Sequence, residues 1–267
     1  MKLKILTVFL CAMAFSACDM IEYNPYDGRI KGERGINQKN IARIQDNLTG
    51  KTTIRFAFLS DTQRWYDETE EFVDALNQRN DVDFVLHGGD LTDFGATKEF
   101  TWQRDILNKL NVPYVALLGN HDCLANGEEI FEEVFGKVNY SFMAGNVKFV
   151  CLNTNALEYD YSRPVPDFGF IESEIADFST GYEKTVVAMH AKPFSEQFNN
   201  NVANVFQYYV NQFKNTQFCL YGHDHQLTQQ DTFGDGMIYF GVPNIEKRKY
   251  YIFTITPESY DYEIVEF

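Results

Sequence analysis

An α/β (α+β) domain with strands buried between helical layers is predicted by three observations on the 267-residue chain. Apolar strand-like runs alternate with amphipathic helical patterns through five βα units, after which the pattern is all β. Hydrophobic residues make up 45% of the chain, with 24 Phe and 16 Tyr, which is ample for a large core and excludes a disordered body. The β-rich end, with no further βα rhythm, argues against a single parallel sheet.

The elements follow in order. Residues 1–17 begin with Lys2 and Lys4, continue as an apolar run too short for a comfortable membrane span, and end at Phe15-Ser16-Ala17 before Cys18. This end resembles the lipobox of bacterial lipoproteins, which implies an exported, envelope-localised chain held at the membrane by lipid on Cys18. Residues 18–52 read as a tether with a short helix marked by Ile41, Ile44 and Leu48; the pattern leaves open whether that helix packs on the body. Residues 53–267 form the main domain. Strands are expected over 54–59, 82–86, 112–118, 147–152, 185–189 and 217–221, then over 227–231, 237–240, 250–256 and 262–267. Helices are expected over 68–79, 97–110 and 127–135. A further helix carries Phe168, Ile171, Ile175 and Phe178 behind an Asp167 cap, and another carries Val202, Val205, Phe206, Tyr209, Val210 and Phe213 on one face.

The polar residues that carry chemistry fall just after strands. Asp61 follows the first, Asp90 the second, and Asn120 with His121 the third. His190 ends the strand at 185–189, and His223 and His225 follow the strand at 217–221. Five strands thus deliver metal-ligand residue types at their C-terminal ends, where α/β folds place their sites. Two divalent cations roughly 3.5–4 Å apart repel, and a bridging carboxylate relieves that repulsion. Two Asp, three imidazoles and an Asn carbonyl leave such a pair net positive, and the mixed N and O donors suit Zn, Mn or Fe. The formal charge of −15 argues against nucleic acid as partner and leaves a small phosphorylated substrate. No protein partner is implied.

The segments Ser60-Asp61-Thr62-Gln63, Gly89-Asp90-Leu91-Thr92-Asp93-Phe94-Gly95, Gly119-Asn120-His121-Asp122, Met189-His190-Ala191 and Gly222-His223-Asp224-His225 resemble, in order, the five motifs of the calcineurin-like metallophosphoesterases. The resemblance implies a four-layer sandwich of two mixed β-sheets flanked by helices. It implies that Asp61, Asp90 and His225 hold one metal, and that Asp90, Asn120, His190 and His223 hold the other. His121 would then act on the substrate with Asp122 orienting it, and a hydroxide held between the metals would attack phosphorus. Gln63 departs from the pattern, which usually has His there. It is either a weak ligand or a bystander, and Asp93 stands where some relatives carry a substitute Tyr.

Other residues are candidates of a lesser kind. Arg163 is placed to clamp a phosphate, and Tyr159 or Tyr161 to stack on a ring; residues 194–201 form a second rim. His87, on an apolar strand, reads as a satisfied core histidine. Cys123, Cys151 and Cys219 read as structural thiols, too few for a disulfide framework. The expected activity is hydrolysis of phosphate monoesters or diesters. The competing expectation is a non-catalytic envelope lipoprotein that keeps the fold and part of the metal site, with Gln63 as its support.

Overall fold

The computed structural model describes residues 26–159, 163–177 and 181–267. The leader at 1–17, Cys18 and Tyr161 lie outside these residues. Two mixed sheets pack face to face with helices on both outer surfaces. The first sheet has the order β11-β10-β1-β2-β3, and the second β4-β5-β6-β7-β9-β8. In the first, β1 (Ile54–Leu59), β2 (Phe84–His87) and β3 (Tyr114–Ala116) are parallel, and β10 (Lys249–Ile255) and β11 (Tyr260–Glu266) run antiparallel at one side. In the second, β5 (Val147–Leu152), β6 (Lys184–Met189), β7 (Thr216–Tyr221) and β9 (Ile238–Gly241) are parallel, while β4 (Tyr140–Ala144) and β8 (Thr228–Asp231) are antiparallel edges.

The alternation within β1 shows why its sequence is apolar on both faces. Phe56 and Phe58 enter the core between the sheets, whereas Ala57 and Leu59 face the helices. The inter-sheet layer is largely aromatic. Phe56 meets Phe149 edge-on at 5.1 Å between ring centres, and Phe218 stacks on Phe253 at 4.7 Å. Helices α2 (Tyr66–Asn77), α3 (Thr97–Leu107) and α4 (Gly127–Val134) cover the first sheet through Phe72, Phe100 and Phe131. Helices α5 (Phe168–Ala176) and α6 (Ala203–Val210) cover the second through Ile171 and Phe206.

The helix preceding β1, α1 (Ile36–Leu48), is part of this body. Ile44 and Leu48 are buried in the inter-sheet core. Asn37 donates from Nδ2 to the Ala116 carbonyl and accepts from the Ala116 amide, both at 2.9 Å, and Asn40 donates to the Tyr114 carbonyl at 2.8 Å. Its carboxamides therefore occupy the free edge of β3 as a neighbouring strand would.

Several elements differ from the sequence pattern, and β3 occupies only Tyr114–Ala116 of the expected 112–118. The hairpin of β4 and β5, turning at Gly145 with φ 57°, includes a strand that the pattern does not single out. Helix α6 stops at Val210, Phe213 is buried beyond its end, and Val205 faces solvent at 47% exposure. Helix α3 ends at Leu107, three residues early, because Asn108 caps it and a turn brings Leu110 inward. The Asp167 cap is as expected, accepting from the Phe170 amide at 3.0 Å.

Candidate metal centre

The loops after β1, β2, β3, β6 and β7 meet at one end of the sandwich. Asp61 and Asp90 are almost wholly buried, as is His190, and their ligand atoms lie within 4.8 Å of one another. His190 Nε2 is 3.4 Å from Asp90 Oδ1, and His225 Nε2 is 3.0 Å from Asp61 Oδ1. Asn120 Oδ1 lies 3.0 Å from both His190 Nε2 and His223 Nδ1. The six predicted ligand residues are thus brought together. The backbone is bent to do so: Asp61, Gln63, Asp90, His223 and His225 all have positive φ, between 35° and 63°. Gly119 is required here, because a Cβ would overlap the Asp90 backbone. So is Gly89, at φ 101°, where a Cβ would press on the His190 ring.

Outer partners assign the imidazole protons. His190 Nδ1 lies 2.9 Å from the Gly88 carbonyl, which can only accept, so Nδ1 carries hydrogen and Nε2 faces the centre. His223 Nε2 lies 3.0 Å from the Glu196 carboxylate, so its Nδ1 lone pair faces Asn120. For neutral rings, two imidazole lone pairs then meet at the Asn120 carbonyl, with Asp90 beside His190, an arrangement of acceptors that suits a divalent cation. Without a cation, protons serve instead. Burial opposes charge on His190, but the Asp90 and Asp61 carboxylates outweigh it and raise its pKa. Burial likewise raises Asp61, and the His225 hydrogen bond with the nearby imidazoles overrides it, so the carboxyl lies below its ordinary range. The residues present fit a bound divalent metal ion.

Gln63 is buried with its Nε2 3.4 Å from Asp90 Oδ2, placing its amide beside that carboxylate. Asp93 points away, to Arg64 at 2.7 Å, but its carbonyl takes His121 Nδ1 at 2.9 Å. That leaves His121 Nε2 as the ring's free nitrogen. Asp122 has a different task from the one expected. Its carboxylate accepts from the amides of Leu91, Thr92 and Gly119 and from the Thr92 hydroxyl, so it ties the loops after β2 and β3 together. Burial, and then the charge of Asp90, push its pKa up.

Two of the predicted substrate contacts, Arg163 and Tyr159, have partners within the protein, and Tyr161 lies outside the described residues. Arg163 is paired with Glu128 and lies 4.2 Å over the Tyr159 ring. Tyr159 itself is buried, its hydroxyl 2.7 Å from Asn153 Nδ2. Arg163 is half exposed in this pairing, and Tyr159 presents its hydroxyl to the interior. Glu196, which sequence reasoning missed, touches the centre instead; its only signal was its place in the 194–201 rim. Cys123 is inert by environment, since burial drives its thiol pKa up and its Sγ faces the Gly119 carbonyl at 3.3 Å.

His87 is a satisfied core histidine. Its Nδ1 accepts from the Gly89 amide at 3.2 Å, so Nε2 donates to Thr62 Oγ1 at 3.0 Å. Burial lowers its pKa from 6.5 to about 3. The unfolded ring protonates below 6.5 and the folded ring only near 3, so stability is lost as pH falls through that window. The expected loss is up to about 1.4 kcal/mol per pH unit. Urea unfolding of metal-free protein at several pH values should show a shallower dependence in His87→Gln; identical slopes would contradict this.

A two-sheet α/β sandwich carrying a buried Asp-Asp-His cluster at the ends of its parallel strands is a metal-binding scaffold. The family model of the calcineurin-like phosphoesterases matches residues 54–227. The chain belongs to that family. It is similar to a 3',5'-cyclic-nucleotide phosphodiesterase of Nostoc sp., with 25% identity over 170 residues, covering 59% of this chain and 63% of that relative. The match therefore spans less than two thirds of the relative's length. Solved structures share the fold. GAP50, the anchor in the inner membrane complex of Plasmodium, has a TM-score of 0.62 at 11% identity, over 81% of this chain and 85% of that one. The purple acid phosphatase PPD1 of yellow lupin has a TM-score of 0.58 at 16% identity, over 80% of this chain and 52% of that one.

Proposed function

We propose that the chain hydrolyses phosphate esters with two divalent metal ions, Mn, Fe or Zn. Asp61, Asp90 and His225 would hold one ion, and Asp90, Asn120, His190 and His223 the other, with Gln63 beside the first. The observation that carries this reading is the meeting of the His190 and His223 acceptors at the Asn120 carbonyl oxygen, with Asp90 3.4 Å from His190. When bound, such ions supply positive charge for the phosphate oxygens and lower the pKa of a water between them. The chain's own part is to fix the donors. The Gly88 carbonyl and Glu196 hold His190 and His223 in the tautomers that face the centre. With Nδ1 on the Asp93 carbonyl, His121 offers Nε2 to the leaving oxygen, as an acid when protonated. The cyclic-nucleotide phosphodiesterase relative makes diesters worth including beside monoesters.

The test is direct. Purified chain, produced without lipid from Asp19, is assayed for bound metal and for hydrolysis of generic monoesters, diesters and cyclic nucleotides with Mn, Zn, Fe or Mg. Less than one metal per chain with no turnover under any condition would refute the proposal and favour the binding role instead. Gln63→His, run in parallel, is expected to raise occupancy of the first site several-fold, because imidazole replaces a weak amide donor. Unchanged metal content would show that Gln63 does not limit it. We further propose lipid attachment at Cys18, tested by incorporation of labelled fatty acid that is lost in Cys18→Ala.

A further inference from the structure

We infer that the Asn244 carboxamide is a further oxygen donor to the first metal ion, standing in for the imidazole that Gln63 replaces. The inference rests on the two-metal reading above and adds a ligand to its weaker half. Strands β1, β2, β3, β6 and β7 each lead into a loop that carries a proposed ligand. Strand β9 is parallel to β7 and ends at the same end of the sandwich. The chain then crosses from the second sheet to the first. Val242 donates its amide to the Tyr221 carbonyl at 3.2 Å, next to the loop of His223 and His225. Asn244 pairs with Ser60, and Ile245 donates its amide to the Asp61 carbonyl at 3.3 Å. Asn244 thus lies on the segment that joins the backbone of Asp61 to that of the histidine loop.

The direction of its side chain follows from the pairing. Residues opposite each other in a parallel bridge share a face, so Asn244 faces as Ser60 does. Ser60 faces the turn at Gly222, where a Cβ would overlap Ser60 Oγ and come within 2.8 Å of Asp61 Oδ2. On this side Asp61 also meets His225 Nε2 at 3.0 Å and the His223 amide at 3.2 Å.

The carboxamide oxygen there is uncommitted. Asn244 is only 5% exposed, and among the described residues its Oδ1 has no hydrogen-bond partner. It precedes the helical turn Ile245–Lys247, where an Asn side chain ordinarily accepts from the turn's amides, yet it makes no such bond. Its own carbonyl is held by the Lys247 amide at 3.1 Å, so the backbone is fixed while the side chain is spare. A buried oxygen without a protein donor calls for a partner from outside the chain. Beside Asp61 and His225 a divalent cation is that partner, since two of its other ligands are already in place. Asn120 would serve the second ion with the same kind of oxygen. The first site is then rich in oxygen, with Asp61, Asp90 and Asn244 against one imidazole, and its preference for Zn over Mn should be weaker than that of the second.

The test is calorimetric titration of metal-free full-length chain with Mn, and with Zn in competition. Wild type is expected to take up two Mn per chain, and His225→Ala marks the step that belongs to the first ion. Asn244→Leu keeps the shape of the side chain and is expected to weaken that step at least about tenfold, leaving the other within about threefold. Asn244→Asp, which charges the same oxygen, is expected to tighten it by a similar factor. Gln63→His added to Asn244→Leu should restore it. The urea midpoint of metal-free Asn244→Leu should match wild type, because Oδ1 has no bond to lose. A lowered midpoint with unchanged Mn affinities would assign Asn244 to folding and overturn the inference, as would a first step unmoved by both Asn244→Leu and Asn244→Asp. Ester hydrolysis that persists beside unmoved affinities would defeat the inference alone. Two ions bound with the expected responses, but no ester hydrolysed, would uphold Asn244 as a ligand and defeat the phosphoester reading. Fewer than two Mn on saturated wild type would overturn both.

Discussion

Asp90→Asn is expected to lower hydrolysis at least about 10³-fold and to remove the thermal stabilisation that divalent ions confer. In the proposed centre Asp90 would be shared by both ions, and its carboxylate has His190 Nε2 at 3.4 Å, Gln63 Nε2 at 3.4 Å and the His121 amide at 2.9 Å. Charge stabilisation by metals is worth several kcal/mol at the transition state, so losing the bridge removes a factor of this size. The metal-free protein should tolerate the change. Neutralising Asp90 relieves repulsion with Asp61 and Asp122, which offsets the loss of its pairing with His190. Metal titration followed by thermal unfolding separates the effects. A variant that still gains stability from Mn or Zn as the wild type does would show that Asp90 is not the shared ligand.

The second large effect lies far from the centre. Asn37→Leu is expected to cost about 2–4 kcal/mol, against a total stability of about 5–15 kcal/mol. The substitution keeps the shape of the side chain but removes both hydrogen bonds to Ala116, at the free edge of β3. The Ala116 carbonyl retains the Tyr140 hydroxyl at 2.8 Å, whereas its amide is left buried and unpaired. The urea midpoint should fall with an unchanged slope. A shift equivalent to less than about 0.5 kcal/mol would show that α1 is not what closes this edge.

These two residues mark the range of what was legible in the sequence. Asp90 stood in a motif after an apolar run, and local pattern sufficed because chemistry confines such residues to strand ends. The bounds of β1 and β5 were readable for a similar reason, since strands buried on both faces are apolar throughout. Asn37 carried no such signal, because its partner is a backbone group 79 residues away. The pairing of Arg163 with Glu128, the Asp122 contacts to the loop amides and the approach of Glu196 to His223 are likewise tertiary. Strand β4 was readable in principle: Tyr140, Phe142 and Ala144 alternate inward before a Gly-Asn turn, the mark of a hairpin. The end of α6 was not, because apolar spacing continues through Phe213 although the backbone turns at Asn211.

The left-handed backbone at Asp61, Gln63, Asp90, His223 and His225 has an evolutionary consequence. Glycine is the residue that such φ angles favour, whereas Asp and His are admitted there with some strain. A lineage released from the need to bind metal would gain stability by drifting to glycine at these positions. Four of the five in this chain are still Asp or His. Those side chains are held at a backbone cost that folding alone does not repay.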